Sequence, residues 1–270
     1  MLLITGASGA LGSLVAERAA GRDDVVLGTR AAGVPGARRV DFDDPGSLPA
    51  AFAGVDTLLL ISAGYGEDDT VAARHGAAIS AATRAGVGHI VYTSLSGDGD
   101  HLPYALAHRW TERRLWASGV RWTVLRNGLY AELLAWLAAP DAEGRITAPL
   151  GGGGLAAVAR EDLAEAALRV ALDPAPHAGR VYELTGERAL TGADLAAATG
   201  ASYDPVDLAG ARAALLASGA AAFQVPMLVG TYSAVAHGFL AGTGTAGDLR
   251  ALLGRAPRPA LEAYAAAVGG

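Results

Sequence analysis

The stretch "LLITGASGALG", Leu2–Gly12, carries an apolar run straight into glycines at positions 6, 9 and 12. A buried strand ends there and a helix begins with almost no loop between them. Gly6 at the strand end permits the tight turn. Gly9 at the helix start lets bare main chain approach a ligand, and Gly12 lets helix and strand pack closely. The first amides of such a helix lack intrahelical partners and sit at the positive end of its dipole, so they favour an anion such as a diphosphate.

Short apolar runs recur beyond this corner, at Leu2–Thr5, Val25–Gly28, Thr57–Ser62, His89–Ser94 and Thr123–Arg126, with an edge candidate at Arg38–Phe42. They are continuous rather than alternating, as strands are when helices cover both faces of a parallel sheet. Helical patterns fall between them at Leu11–Ala20, Ser47–Phe52, Glu67–Ala85 and Pro103–Ser118. The order predicts an α/β fold, a Rossmann-type doubly wound parallel sheet.

The pattern changes after Tyr130. Ala131–Ala139 reads as a helix, "PDAEG" and Gly151–Gly154 break the chain, and Ala156–Ala159 reads as a short strand. Glu161–Leu172 is an amphipathic helix and Arg180–Leu184 a last strand; from Thr191 onward the patterns are helical. The expected division is a Rossmann domain from 1–130 plus about 156–185, and a small, mostly helical substrate-side lobe from about 131–155 plus 186–270. The glycine tetrad reads as a mobile loop and a candidate lid.

Composition narrows the function. The 270 residues are 51% hydrophobic, ample for a large core, and the net charge is −6, which speaks against a nucleic-acid surface. There are no cysteines, hence no disulfides or thiolate metal sites. No leader segment is visible and no apolar run approaches ~20 residues, so no membrane span is expected and the expected location is cytoplasmic. The six histidines show no metal-ligand spacing, so no metal is expected. No lysine occurs, which rules out a Walker-type phosphate loop, and no G-x-S-x-G elbow is present.

The second strand decides between the two nicotinamide dinucleotides. It ends "VVLGTR", with Arg30 where an acid would hold a ribose 2′-hydroxyl. A guanidinium suits a 2′-phosphate, which predicts NADPH over NADH. In "DFDDP", Asp41 and Phe42 are placed to border an adenine, by a hydrogen bond and by face contact.

Taken together, "LLITGASGALGSLV", "GVDTLLLISA", "ARHGAAISAATRAGVGHIVYTSL", "HRWTERRLWASGVRWTVLRNGLYAE", "REDLAEAA", "GRVYELTG" and, more loosely, "GDLRALLGRAPRP" resemble the NmrA-like atypical short-chain dehydrogenases, and among them the type 2 NAD(P)H:quinone oxidoreductases. The resemblance implies NADPH as cofactor and reduction of quinones or similar flat conjugated acceptors. It implies a phosphate loop at Gly6, Ala7, Ser8, Gly9, Ala10 and Leu11, with Arg30 on the 2′-phosphate. Ser62, Ala63 and Gly64 would line the nicotinamide-ribose side, Thr93 and Ser94 would close the fifth strand end, and Val158 would approach the cofactor. Asn127, Gly128, Leu129, Tyr130 and Glu132 would lie between nicotinamide and acceptor. The chain departs from the family at Leu129, where an aromatic is usual, at Leu133, where a polar residue is common, and in the short segment Ser96–Pro103. All three border the acceptor side.

Ordinary short-chain dehydrogenases use Tyr-x-x-x-Lys, in which the lysine lowers the tyrosine pKa. Here the nearest pattern is "YALAH", Tyr104 and His108. The resemblance matches His108 but not the tyrosine, so His108 and Tyr130 are the catalytic candidates: His108 as a proton donor, a pocket residue or a structural histidine, and Tyr130, with Tyr65 and Trp110, as a stacking platform. A quinone lessens the need for an acid, because hydride addition yields a delocalised hydroquinone anion that water can protonate. Catalytic poverty also suits a dinucleotide-sensing regulator without turnover, which stays open beside the reductase. The expected partner is a small conjugated acceptor, without nucleic acid or membrane, and the chain is expected as monomer or homodimer.

Overall fold

The computed structural model describes residues 1–31, 33–63, 65–242 and 247–269. The chain runs β1 (Leu2–Ile4), α1 (Ala10–Arg18), β2 (Val25–Thr29), β3 (Ala37–Arg39), α2 (Leu48–Phe52), β4 (Thr57–Leu60), α3 (Asp68–Arg84), β5 (His89–Leu95), α4 (Ala105–Trp116) and β6 (Arg121–Asn127). It continues with α5 (Ala131–Leu137), β7 (Arg145–Ile146), β8 (Gly154–Leu155), α6 (Arg160–Leu172), β9 (Arg180–Leu184), β10 (Leu190–Thr191), α7 (Gly192–Thr199) and β11 (Ser202–Tyr203). The remaining helices are α8 (Leu208–Ala217), α9 (Gln224–Ala236), α10 (Gly247–Leu253) and α11 (Ala260–Gly269).

Seven strands form one sheet in the order β3-β2-β1-β4-β5-β6-β9. β1 pairs in parallel with β2 and with β4, Leu3 lying opposite Val26 on one side and Leu58 on the other. β2–β3 and β4–β5 are also parallel. The chain reverses its direction of travel across the sheet between β1 and β4, the topological switch point of a doubly wound fold. The Rossmann expectation from the strand pattern is met.

The chain divides into two compact units of comparable size. The first comprises Met1–Ser94, Leu106–Arg126 and Leu163–Tyr182; the second, Leu95–Ala105, Asn127–Asp162 and Glu183–Gly270. The division is finer than the sequence pattern suggested, because the second unit draws on three segments rather than two. In the first unit, Leu3, Leu58, Leu60, Ile90 and Tyr92 on the sheet pack with Leu48 and Phe52 of α2, Ile79 and Ala82 of α3 and Leu115 of α4. In the second, Leu134 and Leu137 of α5 pack with Leu195, Tyr232, Val235 and Tyr264. Two buried phenols there satisfy the end of α5: Tyr232 Oη donates to the Leu137 carbonyl and Tyr264 Oη to that of Ala138, each at 2.8 Å.

The second unit corrects three expectations. The strand placed at Ala156–Ala159 lies earlier, at β8, and pairs antiparallel with β10. The region after Thr191 is not purely helical, since β11 pairs in parallel with β7. The glycine tetrad, read as a mobile loop, is a packed turn: a Cβ on Gly153 would come within 1.8 Å of the Val235 carbonyl oxygen on α9. Among the described residues, no helix is long and apolar enough to cross a membrane.

The first helix–strand contact generates a prediction. A Cβ on Gly12 would lie 2.0 Å from the Gly6 carbonyl oxygen, a clash with main chain that no rotamer relieves, whereas one on Gly9 would meet that oxygen at 3.3 Å. Gly12→Ala is expected to cost about 1–3 kcal/mol of stability in urea unfolding. Gly9→Ala is expected to cost less.

Candidate active site

Thr5 sets the corner after β1. Its Oγ1 donates to the Leu59 carbonyl (3.2 Å) and accepts the Ile61 amide (3.0 Å), which ties the ends of β1 and β4 together. The chain then turns at Gly6, whose φ of +63° is left-handed. The amide of Ala7 donates to the Gly28 carbonyl (3.2 Å) and that of Gly9 back to the Gly6 carbonyl (2.9 Å). Gly9 is the N-cap of α1; no side chain caps the helix and no acidic residue lies in its first turn. The amides of Ala10, Leu11 and Gly12 therefore find no acceptor among the described residues. Ser8, Gly9 and Ala10 are exposed and Leu11 is buried. An open helix terminus with bare main chain around it fits a diphosphate group.

Arg30 is exposed just beyond β2 and forms no ion pair among the described residues. Asp43, which feels its charge, is bound bidentately by Arg74 at 2.7 and 3.0 Å, and that pairing holds the Asp43 carboxyl below its usual range. The Asp41 carboxylate accepts from Arg39 and from the Asp43 amide, both at 3.1 Å. Phe42 is partly buried and packs on the core of the first unit. Gly64 lies outside the described residues.

The end of β4 is held by groups that spacing alone did not single out. The Ser62 amide donates to Thr93 Oγ1 (2.9 Å) and the Ala63 amide to His75 Nε2 (2.9 Å). His75 is fully buried on α3. Because Nε2 accepts, the neutral ring carries its proton on Nδ1, which faces Thr111 Oγ1 at 2.9 Å. Thr111 in turn donates to the Ala107 carbonyl at 2.7 Å. Burial pushes His75 down to about 3, helped by the charges of His108 and Arg74. A signal existed in the sequence: Val71, His75, Ala78, Ile79 and Ala82 share the buried face of α3.

His108 lies beside this cluster, its Nδ1 2.9 Å from the Tyr92 hydroxyl. Burial lowers His108 to about 4, with a further contribution from Arg109, so the ring is neutral at physiological pH. Burial likewise pushes the Tyr92 phenol above its ordinary value. Tyr104 has a different partner, Thr231 Oγ1 at 3.1 Å, and burial raises it to about 12. Tyr65 is exposed, and Trp110 packs its ring against Gly76 of α3.

Below the end of β5, Glu112 is fully buried and accepts from Ser94 Oγ (2.6 Å), Arg109 Nη1 (2.6 Å) and Arg126 Nε and Nη2 (3.0 and 2.7 Å). Burial alone would raise this carboxyl; the bonds from Arg126 and Ser94 and the two guanidinium charges hold it below its usual range.

In the second unit the segment Asn127–Glu132 is zipped to the start of α6. Gly128 donates to the Leu184 carbonyl (2.9 Å), Val158 to that of Leu129 (3.0 Å), and Ala131 to that of Val158 (2.9 Å). Tyr130 and Val158 form a parallel bridge. The Glu132 carboxylate accepts the Arg160 amide at 3.1 and 3.3 Å, so it serves the main chain at the start of α6. The Arg160 guanidinium sits over the Tyr130 ring, 4.8 Å from its centroid. Burial raises the Tyr130 phenol above its usual value. Asn127 Oδ1, Arg160 Nε and Thr185 Oγ1 are buried without a hydrogen-bond partner. Thr185 lines a shallow cleft with Ser96, Gly128, Leu129, Phe239 and Leu240.

A sheet reversing at β1 and β4, with an uncapped helix at the reversal, defines a dinucleotide-binding α/β protein. A family described as NAD(P)H-binding matches residues 6–174. Quinone oxidoreductase 2 of Escherichia coli K12 is 40% identical over 210 residues, which span 73% of this chain and 72% of that protein. The crystal structure of an NADPH-dependent quinone oxidoreductase from Escherichia coli, complexed with NADPH, aligns with a TM-score of 0.86 at 33% identity, covering 98% of this chain and 99% of the other. That of Citrobacter sp. triphenylmethane reductase, complexed with NADP(H), gives a TM-score of 0.85 at 28% identity, covering 98% and 99%. The chain belongs to the NAD(P)H-binding family, whose model matches well over half of it.

The buried imidazoles set a pH dependence. His89, whose Nε2 faces Thr123 Oγ1 at 2.8 Å, is lowered by burial to about 4, like His108. Unfolded, each returns to about 6.5. As pH falls through 6.5 toward 4, the unfolded chain takes up protons that these rings refuse in the fold, so stability falls with pH across that window. Urea midpoints are expected to drop between pH 7 and pH 5, and His89→Gln to make the drop shallower. The His108 ring signals in NMR are expected not to titrate between pH 6 and 8.

Proposed function

We propose that this protein is an NADPH-dependent reductase that passes hydride to a quinone or a similar flat conjugated acceptor. The observation that carries the reading is the uncapped N-terminus of α1, where Ala10, Leu11 and Gly12 present unpaired amides beside a glycine turn. In the first unit these amides, with Gly6, Ala7, Ser8 and Gly9, hold the diphosphate. Arg30 pairs with the 2′-phosphate, and Asp41 and Phe42 border the adenine. Ser62, Ala63 and Thr93 serve the nicotinamide-ribose side; the amide bonds to Thr93 and His75 fix that turn in advance. In the second unit Asn127, Gly128 and Val158 serve the nicotinamide, and Leu129, Tyr130 and Glu132 the acceptor.

NADPH, when bound, supplies the hydride. The protein's work is to bind, orient and exclude water. His108 stays neutral and acts as a hydrogen-bonding group rather than a proton store; the hydroquinone anion takes its proton from water. The names of the relatives, two of them reductases of quinones or of a conjugated dye, agree with a flat acceptor.

Anaerobic NADPH oxidation against quinones, azo dyes and enones tests the reading. Loss of NADPH absorbance with at least one class, and none without acceptor, is expected. Binding of NADPH without any acceptor-dependent oxidation would make the protein a sensor and overturn the proposal. Arg30→Gln is expected to raise KM for NADPH about tenfold to a hundredfold, the loss of a charge-assisted hydrogen bond, with KM for NADH little changed. His108→Ala is expected to lower turnover by less than about tenfold, since it removes a hydrogen bond and not an acid.

A further inference from the structure

We propose that Arg160 is a catalytic residue whose guanidinium stabilises the negative charge that forms on the acceptor's oxygen. The inference rests on the reductase reading and assigns it an electrostatic group. Among the described residues, the other partly buried arginines all donate to an acceptor of this chain. Arg74 binds Asp43, Arg109 and Arg126 bind Glu112, Arg255 binds Asp162, and Arg18 and Arg38 bind main-chain carbonyls. The Arg160 side chain has no such partner among them, and its Nε is buried and unpaired. The carboxylate bonded to this residue, Glu132, accepts from its main-chain amide. A partly buried guanidinium without an ion-pair or hydrogen-bond partner is costly, and a bound anion offsets that cost.

Its position narrows the choice of anion. The guanidinium is stacked on Tyr130, in the segment assigned above to the acceptor, and Asn127 Oδ1 in that segment is buried and unpaired as well. Stacking holds the charge in place before the reaction, the condition under which a cation favours a transition state over a neutral ground state. The phosphates of the dinucleotide already have the α1 amides and Arg30. When a quinone accepts hydride, a new bond to hydrogen forms with both electrons, and an electron pair of the conjugated carbonyl system moves onto oxygen as O⁻. NADPH is left as NADP⁺, and water then supplies the proton. The chain has no lysine to meet that oxyanion, and neutral His108 brings no charge.

The test uses Arg160→Gln and Arg160→Lys of the full chain, each first shown by thermal melting and by NADP⁺ affinity to be folded. With menadione as acceptor, Arg160→Gln is expected to lower kcat about 100-fold, with the NADP⁺ dissociation constant changed less than about threefold and partial rescue by added guanidinium chloride. A second readout is independent of turnover: wild-type protein with NADP⁺ is expected to lower the apparent pKa of bound 4-nitrophenol by about one unit, and Arg160→Gln to abolish that shift. Unchanged kcat and an unchanged nitrophenol titration overturn the proposal while leaving the reductase reading intact. Equal weakening of NADP⁺ binding would assign Arg160 to a cofactor phosphate and also overturn it. Absence of any acceptor-dependent oxidation by wild-type protein refutes the reductase reading and this inference with it.

Discussion

Main chain meets main chain where α1 crosses the end of β1, and everything else at the nucleotide end is arranged around that contact. Gly12 has no room for a side chain against the Gly6 carbonyl. This closeness brings the start of α1 down onto the sheet at the switch point, where its first amides open outward. A helix set further off would expose the same amides to water without a neighbouring strand end to define a site. Thr5 fixes the other side of the corner by bonding β4 through both its hydroxyl and its amide. Turn, helix terminus and neighbouring strand end are thus consequences of one close approach.

The turn after β4 depends on a different device. Two successive amides, Ser62 and Ala63, are satisfied by side chains rather than by main chain. A threonine and a neutral histidine do this without placing a charge near the expected nicotinamide. Burial keeps His75 neutral, and its neighbours fix which nitrogen bears the proton. The ring therefore works as a rigid acceptor and gives the turn its shape at the expense of acid stability.

Much of this was legible in the sequence, and the exceptions have physical reasons. Continuous apolar runs located the inner strands β1, β4 and β5 because strands buried on both faces have few polar options. The glycine corner was legible because only glycine fits there. β7, β8, β10 and β11 were not, because two residues carry no period; they are held by the neighbours they pair with. His75 was visible in outline on an apolar helical face, yet its bond to Ala63 joins residues whose meeting only the fold decides. The bond from the Arg160 amide to the Glu132 carboxylate likewise joins segments whose meeting only the fold decides. Arg160 passed unnoticed because a single arginine before a helix looks like a solvated charge; what distinguishes it is the absence of a partner.

The arginines show how charge is distributed in a chain without lysine. Where the fold needs a buried charge, it supplies opposite charge in excess of one bond: Glu112 takes two arginines and a serine, and Asp162 takes Arg255 and Arg258. Such clusters are self-contained, and removing one member leaves the others stranded in low dielectric. Arg30 and Arg160 follow the opposite rule. Arg30 stands exposed beyond the second strand, and Arg160 is partly buried on an aromatic ring; neither has a carboxylate bound to its guanidinium among the described residues. A phosphate gains from an exposed guanidinium because both remain reachable by diffusion. A charge that appears only during reaction gains most from a guanidinium already desolvated and held. The two environments therefore suit the two anions proposed for them, a cofactor phosphate for Arg30 and an acceptor oxyanion for Arg160.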